Sequence, residues 1–247
     1  MDNNYSPHNL DWTDEKVARF WNFRNNYKYF DETWFTEQVG DAVLKFVNKQ
    51  TAIKGKVLDY GTGKGFLVQH LLDRYPAIEV YACDFTDSMA TGTDEKFKQR
   101  DQFKGCKHIT QLPSAYDDNS FDFVFLIETI EHLTDRYLDG TLQEISRVLK
   151  PGGIMVITTP NDEVLERKFV HCADCGASFH HMQHIRSWNE KSLSALAGTY
   201  NFSHVYCKGM NLKWYGKNGL FQYAMDTVKK MISKPNTEHL VYIGKKK

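Results

Sequence analysis

Lys56-Val57-Leu58-Asp59-Tyr60-Gly61-Thr62-Gly63-Lys64-Gly65 is the stretch on which the fold turns. Apolar Val57 and Leu58 give way to three glycines within five residues. Phe66 to Tyr75 (FLVQHLLDRY) then places apolar side chains at helical spacing. Strand, sharp turn and helix in that order let bare backbone and unpaired helix N–H groups approach a ligand. Two common versions of such a turn are excluded by spacing. A dinucleotide fingerprint wants its third glycine at position 66, which is Phe66, and a phosphate loop wants Ser or Thr after Gly-Lys, where Lys64 is followed by Gly65.

Outward from this turn, Glu79 to Cys83 (EVYAC) reads as a second short strand closed by Asp84, twenty-one residues after Gly63. An acid there can accept hydrogen bonds from the hydroxyls of an unphosphorylated ribose. The plainer reading is a strand-terminal Asp that caps a turn, but loop, helix and acid in this order favour a ligand. Phe121 to Ile127 (FDFVFLI) is almost wholly apolar, as a strand buried on both faces must be. A helix is expected over Tyr137 to Leu149, a turn at Lys150-Pro151-Gly152-Gly153 and another buried strand over Ile154 to Ile157. Helix over Asn189 to Tyr200, extended chain over Ser203 to Cys207, helix over Gly219 to Ile232 and a strand over His239 to Ile243 complete the alternation.

This pattern predicts an α/β fold with a doubly wound sheet, whose ligands sit at the carboxyl ends of the strands. Residues 1–50 read as a helical N-terminal extension, through Asp11 to Phe23 and Trp34 to Val47, and residues 51–247 as the domain proper. The extension's aromatics are expected to pack, with Trp21, Tyr27 and Tyr29 as candidates to line a cleft.

Composition narrows the class. The 247 residues carry 31 basic and 31 acidic side chains, are 41% hydrophobic and contain no run resembling a membrane span. Zero formal charge and a pI near 7.1 argue against duplex nucleic acid or anionic lipid as partner. Five cysteines cannot all pair within the chain, and Met1 to Leu10 lacks the basic start and apolar run of a signal peptide, so a reducing cytoplasm is expected. Gly244-Lys245-Lys246-Lys247 reads as a solvated tail. Oligomeric state leaves no mark on the sequence.

The segments VLDYGTGKG (Val57 to Gly65), YACD (ending at Asp84), LPSAYDDNSFDFVF (Leu112 to Phe125), IEHL (Ile130 to Leu133) and LKPGG with IMVITTPN (Leu149 to Asn161) together resemble the class I S-adenosylmethionine-dependent methyltransferases, over roughly Lys56 to Pro160. The resemblance implies a Rossmann-like, mostly parallel seven-stranded sheet with the last strand antiparallel. It implies that Gly61, Gly63 and Gly65 surround the methionine moiety of S-adenosyl-L-methionine, with Asp59 and Tyr60 leading into the turn. Asp84 would hold the ribose, Phe85 would lie against the adenine, and Leu112 and Ile127 would complete the cofactor site. One departure is His108, at a place where many relatives carry an acid.

Glu128, Glu131 and His132 follow the Phe121–Ile127 strand, and in a helix their i, i+3, i+4 spacing would bring all three to one face. Three readings are open. The pair Glu131 and His132 braces the loop; or His132, oriented by a glutamate, removes a proton from a hydroxyl acceptor; or all three bind a divalent cation, as E-x-x-E-H does in the ubiquinone-pathway O-methyltransferases and terminal small-RNA 2'-O-methyltransferases it resembles.

A Cys/His-rich insert is read over residues 168–188. Within it Cys172, Cys175, His180 and His184 spell C-x2-C-x4-H-x3-H, the ligand set of a closed tetrahedral zinc site, with His181 and His171 as further candidates. An exposed thiol pair and a redox C-x-x-C are the alternatives. Cys83, Cys106 and Cys207 read as buried thiols. Aromatics from Trp188 to Tyr223, among them Tyr200, Tyr206, Trp214 and Phe221, could wall an acceptor pocket, though packing accounts for most. The leading expectation is methyl transfer to O or N of a small molecule. RNA methylation at the E-x-x-E-H site and a non-catalytic cofactor-binding scaffold are the alternatives.

Overall fold

The computed structural model describes residues 5–27, 34–215 and 238–247. The helix expected over Gly219 to Ile232, with Phe221 and Tyr223, and the cleft candidate Tyr29 lie outside them, as do the side chains of Trp214 and Tyr215. In chain order the elements are β1 (His8–Asn9), α1 (Asp14–Asn26), α2 (Phe35–Gln50), β2 (Lys56–Tyr60), α3 (Phe66–Arg74), β3 (Glu79–Asp84), α4 (Asp87–Phe97), β4 (Phe103–His108) and β5 (Phe121–Ile127). They continue as α5 (Asp135–Val148), β6 (Leu149–Pro160), β7 (Phe169–His171), β8 (Ala177–His180), α6 (Glu190–Thr199), β9 (Phe202–Met210), α7 (Leu212–Tyr215) and β10 (His239–Lys246).

Seven strands form one sheet in the order β4-β3-β2-β5-β6-β10-β9, so the apolar run Phe121–Ile127 takes the centre. The pairs from β4 to β6 are parallel, and β10 runs antiparallel to both β6 and β9. Alternation sends successive side chains to opposite faces. Val57, Phe123, Phe125 and Val156 pack under α2 and α3, while Leu58, Val124, Leu126 and Met155 pack under α5 and α6. Helix α2 buries Val39, Val43, Leu44 and Val47 in the first of these layers, so this part of the N-terminal extension shares the core of the sheet.

The expected turn at Lys150–Gly153 is instead part of the unbroken strand β6. Phe121 pairs with Leu149 and Phe123 with Ile154, so the extra residues bulge out of the ladder. A Cβ at Gly153 would stand 2.9 Å from Lys150 O, which explains the glycine there.

Strands β7 and β8 form an antiparallel hairpin in the insert, and β1 adds to β8 in parallel as a third strand. Gly176, at φ +83°, lets the N-terminal segment approach so closely that a Cβ would meet Ser6 O at 2.3 Å. Among the described residues no helix is long and apolar enough to cross a membrane.

Candidate active site

Strands β2 and β3 end side by side, and the glycine turn after β2 curls over the end of β3: the N–H groups of Gly61 and Thr62 donate to Cys83 O. Gly63 N donates to Asp84 Oδ2 at 2.9 Å and Thr86 N to Asp84 Oδ1 at 2.8 Å. The carboxylate is thus fixed by backbone while each oxygen keeps a further lone pair. Burial pushes its pKa above the ordinary range, against the backbone N–H groups of Thr86 and Gly63.

Gly61, Gly63, Asp84 and Phe85 line a cavity of about 380 Å³, within the size range of small-ligand sites. Its far wall is α1, through Asp14, Val17, Ala18 and Trp21, with Trp34 and Tyr137 completing the sides. A Cβ at Gly63, φ +52°, would stand 2.7 Å from the Trp34 ring. No periodicity or motif marks Trp34 for this role; only the folded proximity does.

Five other residues implied for the cofactor site stand behind this wall. Asp59 is buried and accepts from Thr62 Oγ1 at 2.8 Å, and burial raises its carboxyl to about 7. Tyr60 is wholly buried in the second core layer, and burial drives its phenol up. Ile127 is buried under α2 and α3, and Leu112 packs against Gly140 of α5. Gly65 caps α3 in a left-handed conformation and faces Phe97 and Thr93. None of the five is in the cavity lining. His108 Nε2 lies 3.1 Å from Phe85 O, holding the backbone beside the cavity.

At the carboxyl end of β5 the helical spacing expected for Glu128, Glu131 and His132 fails. Glu128 has φ +45°, and Ile130–His132 is a single 3-10 turn, so the three do not share a helix face. Glu128 lines the cavity with Oε2 3.6 Å from His239 Nδ1 and a buried Oε1 that has no hydrogen-bond partner. Glu131 points elsewhere, is 1% exposed, and accepts from Thr159 Oγ1 at 3.0 Å. Burial, then the charge of Glu128, pushes its pKa well up. His132 reaches the cavity, and its Nε2 lies 3.8 Å from Glu131 Oε1. Burial and the neighbouring His184 push His132 down to about 3, so it is neutral at pH 7 and a weak base. The cation set Glu128, Glu131 and His132 is therefore not assembled; the structure groups Glu131 and His132 with His184.

The insert also departs from the zinc pattern. In the hairpin His180 pairs with Phe169, whereas Cys172 N donates to Ala177 O, three residues back along β8. Three residues of strand span about 10 Å, too far for one tetrahedral ion. Cys172 and Cys175 stay at the turn, where backbone N–H groups of Cys175 and Asp174 hold the Cys172 thiol below its usual range. His180 and His184 meet Glu163 instead. Cys83 and Cys207 are buried as expected, and Cys106 is half-buried.

Gln183, fully buried at φ +61°, ties insert, α1 and His132 together: Trp21 Nε1 donates to its Oε1 at 2.7 Å, and its Nε2 donates to His132 O at 2.9 Å. Trp21 meets the His132 ring edge-on at 5.0 Å, so this expected cleft residue does line the cavity, whereas Tyr27 is exposed and stacks on Phe23.

A family model described as methyltransferase domain matches residues 28–206. The chain belongs to that family. Its sheet order, with the chain's last strand running antiparallel between β6 and β9, is that of the class I S-adenosylmethionine-dependent methyltransferases. A malonyl-[acyl-carrier protein] O-methyltransferase of Acetivibrio thermocellus is 24% identical over 146 residues, 59% of this chain and 50% of that one. A sarcosine/dimethylglycine N-methyltransferase of Halorhodospira halochloris is 28% identical over 136 residues, 50% of this chain and 46% of that one. The chain spans about half the length of the curated relatives it matches. In fold it is similar to the 1,6-didemethyltoxoflavin-N1-methyltransferase of Burkholderia thailandensis, solved with 1,6-didemethyltoxoflavin and S-adenosylhomocysteine, at TM-score 0.63 and 16% identity over 98% of this chain and 94% of that one.

Proposed function

We propose that the chain transfers a methyl group from S-adenosylmethionine to an oxygen or nitrogen of a small, uncharged or cationic acceptor. The carrying observation is the pairing of Asp84 with the Gly63 N–H in the wall of a cavity that helix α1 closes on the far side. The residues fit the cofactor: Asp84 keeps lone pairs for two ribose hydroxyls, Phe85 offers a ring face to the adenine, and side-chain-free backbone at Gly61 and Gly63 makes room for the methionine end. Bound there, S-adenosylmethionine supplies a sulfonium methyl open to in-line displacement.

The chain's own part is alignment and proton handling. Glu128 lines the cavity and has a carboxylate oxygen without a hydrogen-bond partner, so this side chain is suited to accept the acceptor's O–H or N–H. His132, held neutral, lines the cavity wall and is too weak a base for the general-base role expected of an ordinary imidazole. Four carboxylates, Asp14, Asp84, Asp87 and Glu128, and neither Lys nor Arg line the cavity among the described residues. That field repels carboxylate and phosphate acceptors and disfavours RNA. Calorimetry with S-adenosylhomocysteine tests the cofactor half. Incubation with radiolabelled methyl donor and fractionated extract tests the rest: label in neutral or basic metabolites supports the reading. Label in RNA overturns the acceptor class, and absence of cofactor binding leaves only a scaffold.

A further inference from the structure

We propose that His184, delivered by the insert, joins His132 and Glu131 to bind one divalent transition-metal ion at the seam between the cofactor cavity and the insert. One nitrogen or oxygen from each of the three lies within 4.8 Å of the others. Glu131 is a buried carboxylate whose Oε1 has no hydrogen-bond partner, and His132 turns its Nε2 toward that oxygen. A carboxylate out of water with one hydroxyl partner needs a positive charge or a proton. The Glu131 Oε1–His132 Nε2 separation of 3.8 Å is too long for a hydrogen bond. It is close to the roughly 3.0–3.5 Å between two atoms that each sit about 2.1 Å from one ion.

The surroundings of His184 decide its tautomer. Its Nδ1 lies 2.5 Å from Glu163 Oε2, and donation to that carboxylate leaves the Nε2 lone pair free, the carboxylate–histidine arrangement that orients metal ligands. Its ring stands 4.8 Å from that of His132. His180, by contrast, is a buttress. Its Nδ1 accepts from Met182 N at 3.2 Å and His184 N at 3.3 Å, so the ring proton is on Nε2, which faces Glu163 Oε1 at 3.5 Å. Glu163 is further held by Lys168 Nζ at 2.7 Å, and a cation at that distance makes it a positioning residue and a poor ligand. Two imidazoles and one carboxylate suit Zn²⁺, Co²⁺, Mn²⁺ or Fe²⁺ over the oxygen-seeking Mg²⁺ and Ca²⁺.

The test uses the full chain, stripped with chelator and titrated with Co²⁺ by visible absorption and with Zn²⁺ by calorimetry. One equivalent is expected, with ligand-field bands and no thiolate charge-transfer band. Glu131→Gln and His184→Gln should each weaken binding by at least about 100-fold, and Glu163→Gln by about 10- to 100-fold. Cys172→Ser/Cys175→Ser should retain the site. S-adenosylhomocysteine affinity, measured on each variant, reports that the fold persists and is read separately from the metal, so the methyl-transfer proposal can fail without this one. No uptake by the stripped chain, or uptake that survives His184→Gln and vanishes with the cysteine pair, overturns the assignment.

Discussion

The two ends of the cavity are built in opposite ways. At the β2–β3 end the ligand-facing groups are main-chain atoms and one carboxylate gripped by them, all within Asp59–Thr86. At the β5 end they are the side chains of Glu128, His132 and Trp21, held from behind by Glu131, Glu163 and residues 180–184 of the insert. The first end is local and has a sequence signature, because only glycine can hold positive φ while leaving the space beside it open. The second exists only after the insert has docked, and its parts are spaced in sequence by nothing a periodicity can read.

Replacing Gly63 by valine attacks the first end hardest. A β-branched residue at φ +52° is strained, and its Cβ would collide with the Trp34 ring at 2.7 Å. Calorimetry should show more than about a 100-fold loss of S-adenosylhomocysteine affinity, with stability lower by about 2–3 kcal/mol. Affinity within a few-fold of the unaltered chain would mean that the turn is not the ligand wall.

Gln183→Leu attacks the second end. It leaves Trp21 Nε1 and His132 O without their partners, at roughly 1–3 kcal/mol for each buried polar group. Denaturant unfolding should therefore report a loss of about 2–5 kcal/mol, while S-adenosylhomocysteine affinity stays within about threefold. Parallel loss of both would show that the two ends are one cooperative structure.

Asp84→Asn is gentler. It keeps size but sets an amide NH2 against one of the two backbone donors, Gly63 N or Thr86 N, and removes the charge. Cofactor-analogue affinity should fall about 10- to 100-fold, the worth of a charge-assisted hydrogen bond or two.

The same division governs what the sequence reveals. The central strands, the glycine turn with helix α3 after it, and Asp84 stand where apolar runs and spacing put them. Strand β4 (FKGCKH) and helix α4 (DSMATGTDEKF) leave almost no apolar signal, because β4 lies at the sheet edge and α4 buries only Ala90, Thr93 and Phe97. C-x2-C-x4-H-x3-H has zinc spacing as a string, but the strand between Cys175 and His180 holds the pairs apart. E-x-x-E-H has helical spacing, but Glu128 takes a left-handed turn that no helix admits. Glu163, the anchor of both insert histidines, lies outside every motif.

The smallest effect is a pH slope. Burial, then the mutual repulsion of neighbouring imidazoles, lowers His132 to about 3 and His180 to about 4, from an unfolded value near 6.5. Both are neutral in the folded chain while the unfolded chain takes up their protons below pH 6.5. Their contribution is thus complete above pH 6.5 and is lost as pH falls toward 3–4, at up to about 1.4 kcal/mol per pH unit for each histidine. Glu163 works lower on the scale. Burial alone would raise it, but His184 and Lys168 prevail and hold it at about 2, so its contribution is present above about pH 4.3 and is lost toward pH 2. Chemical unfolding of metal-free chain across pH 4–7 should show this slope, and His132→Gln should flatten it by about one proton. A slope unchanged by His132→Gln would mean that this ring is already charged in the folded state, and that the second end is an ion-pair network and not a set of neutral donors.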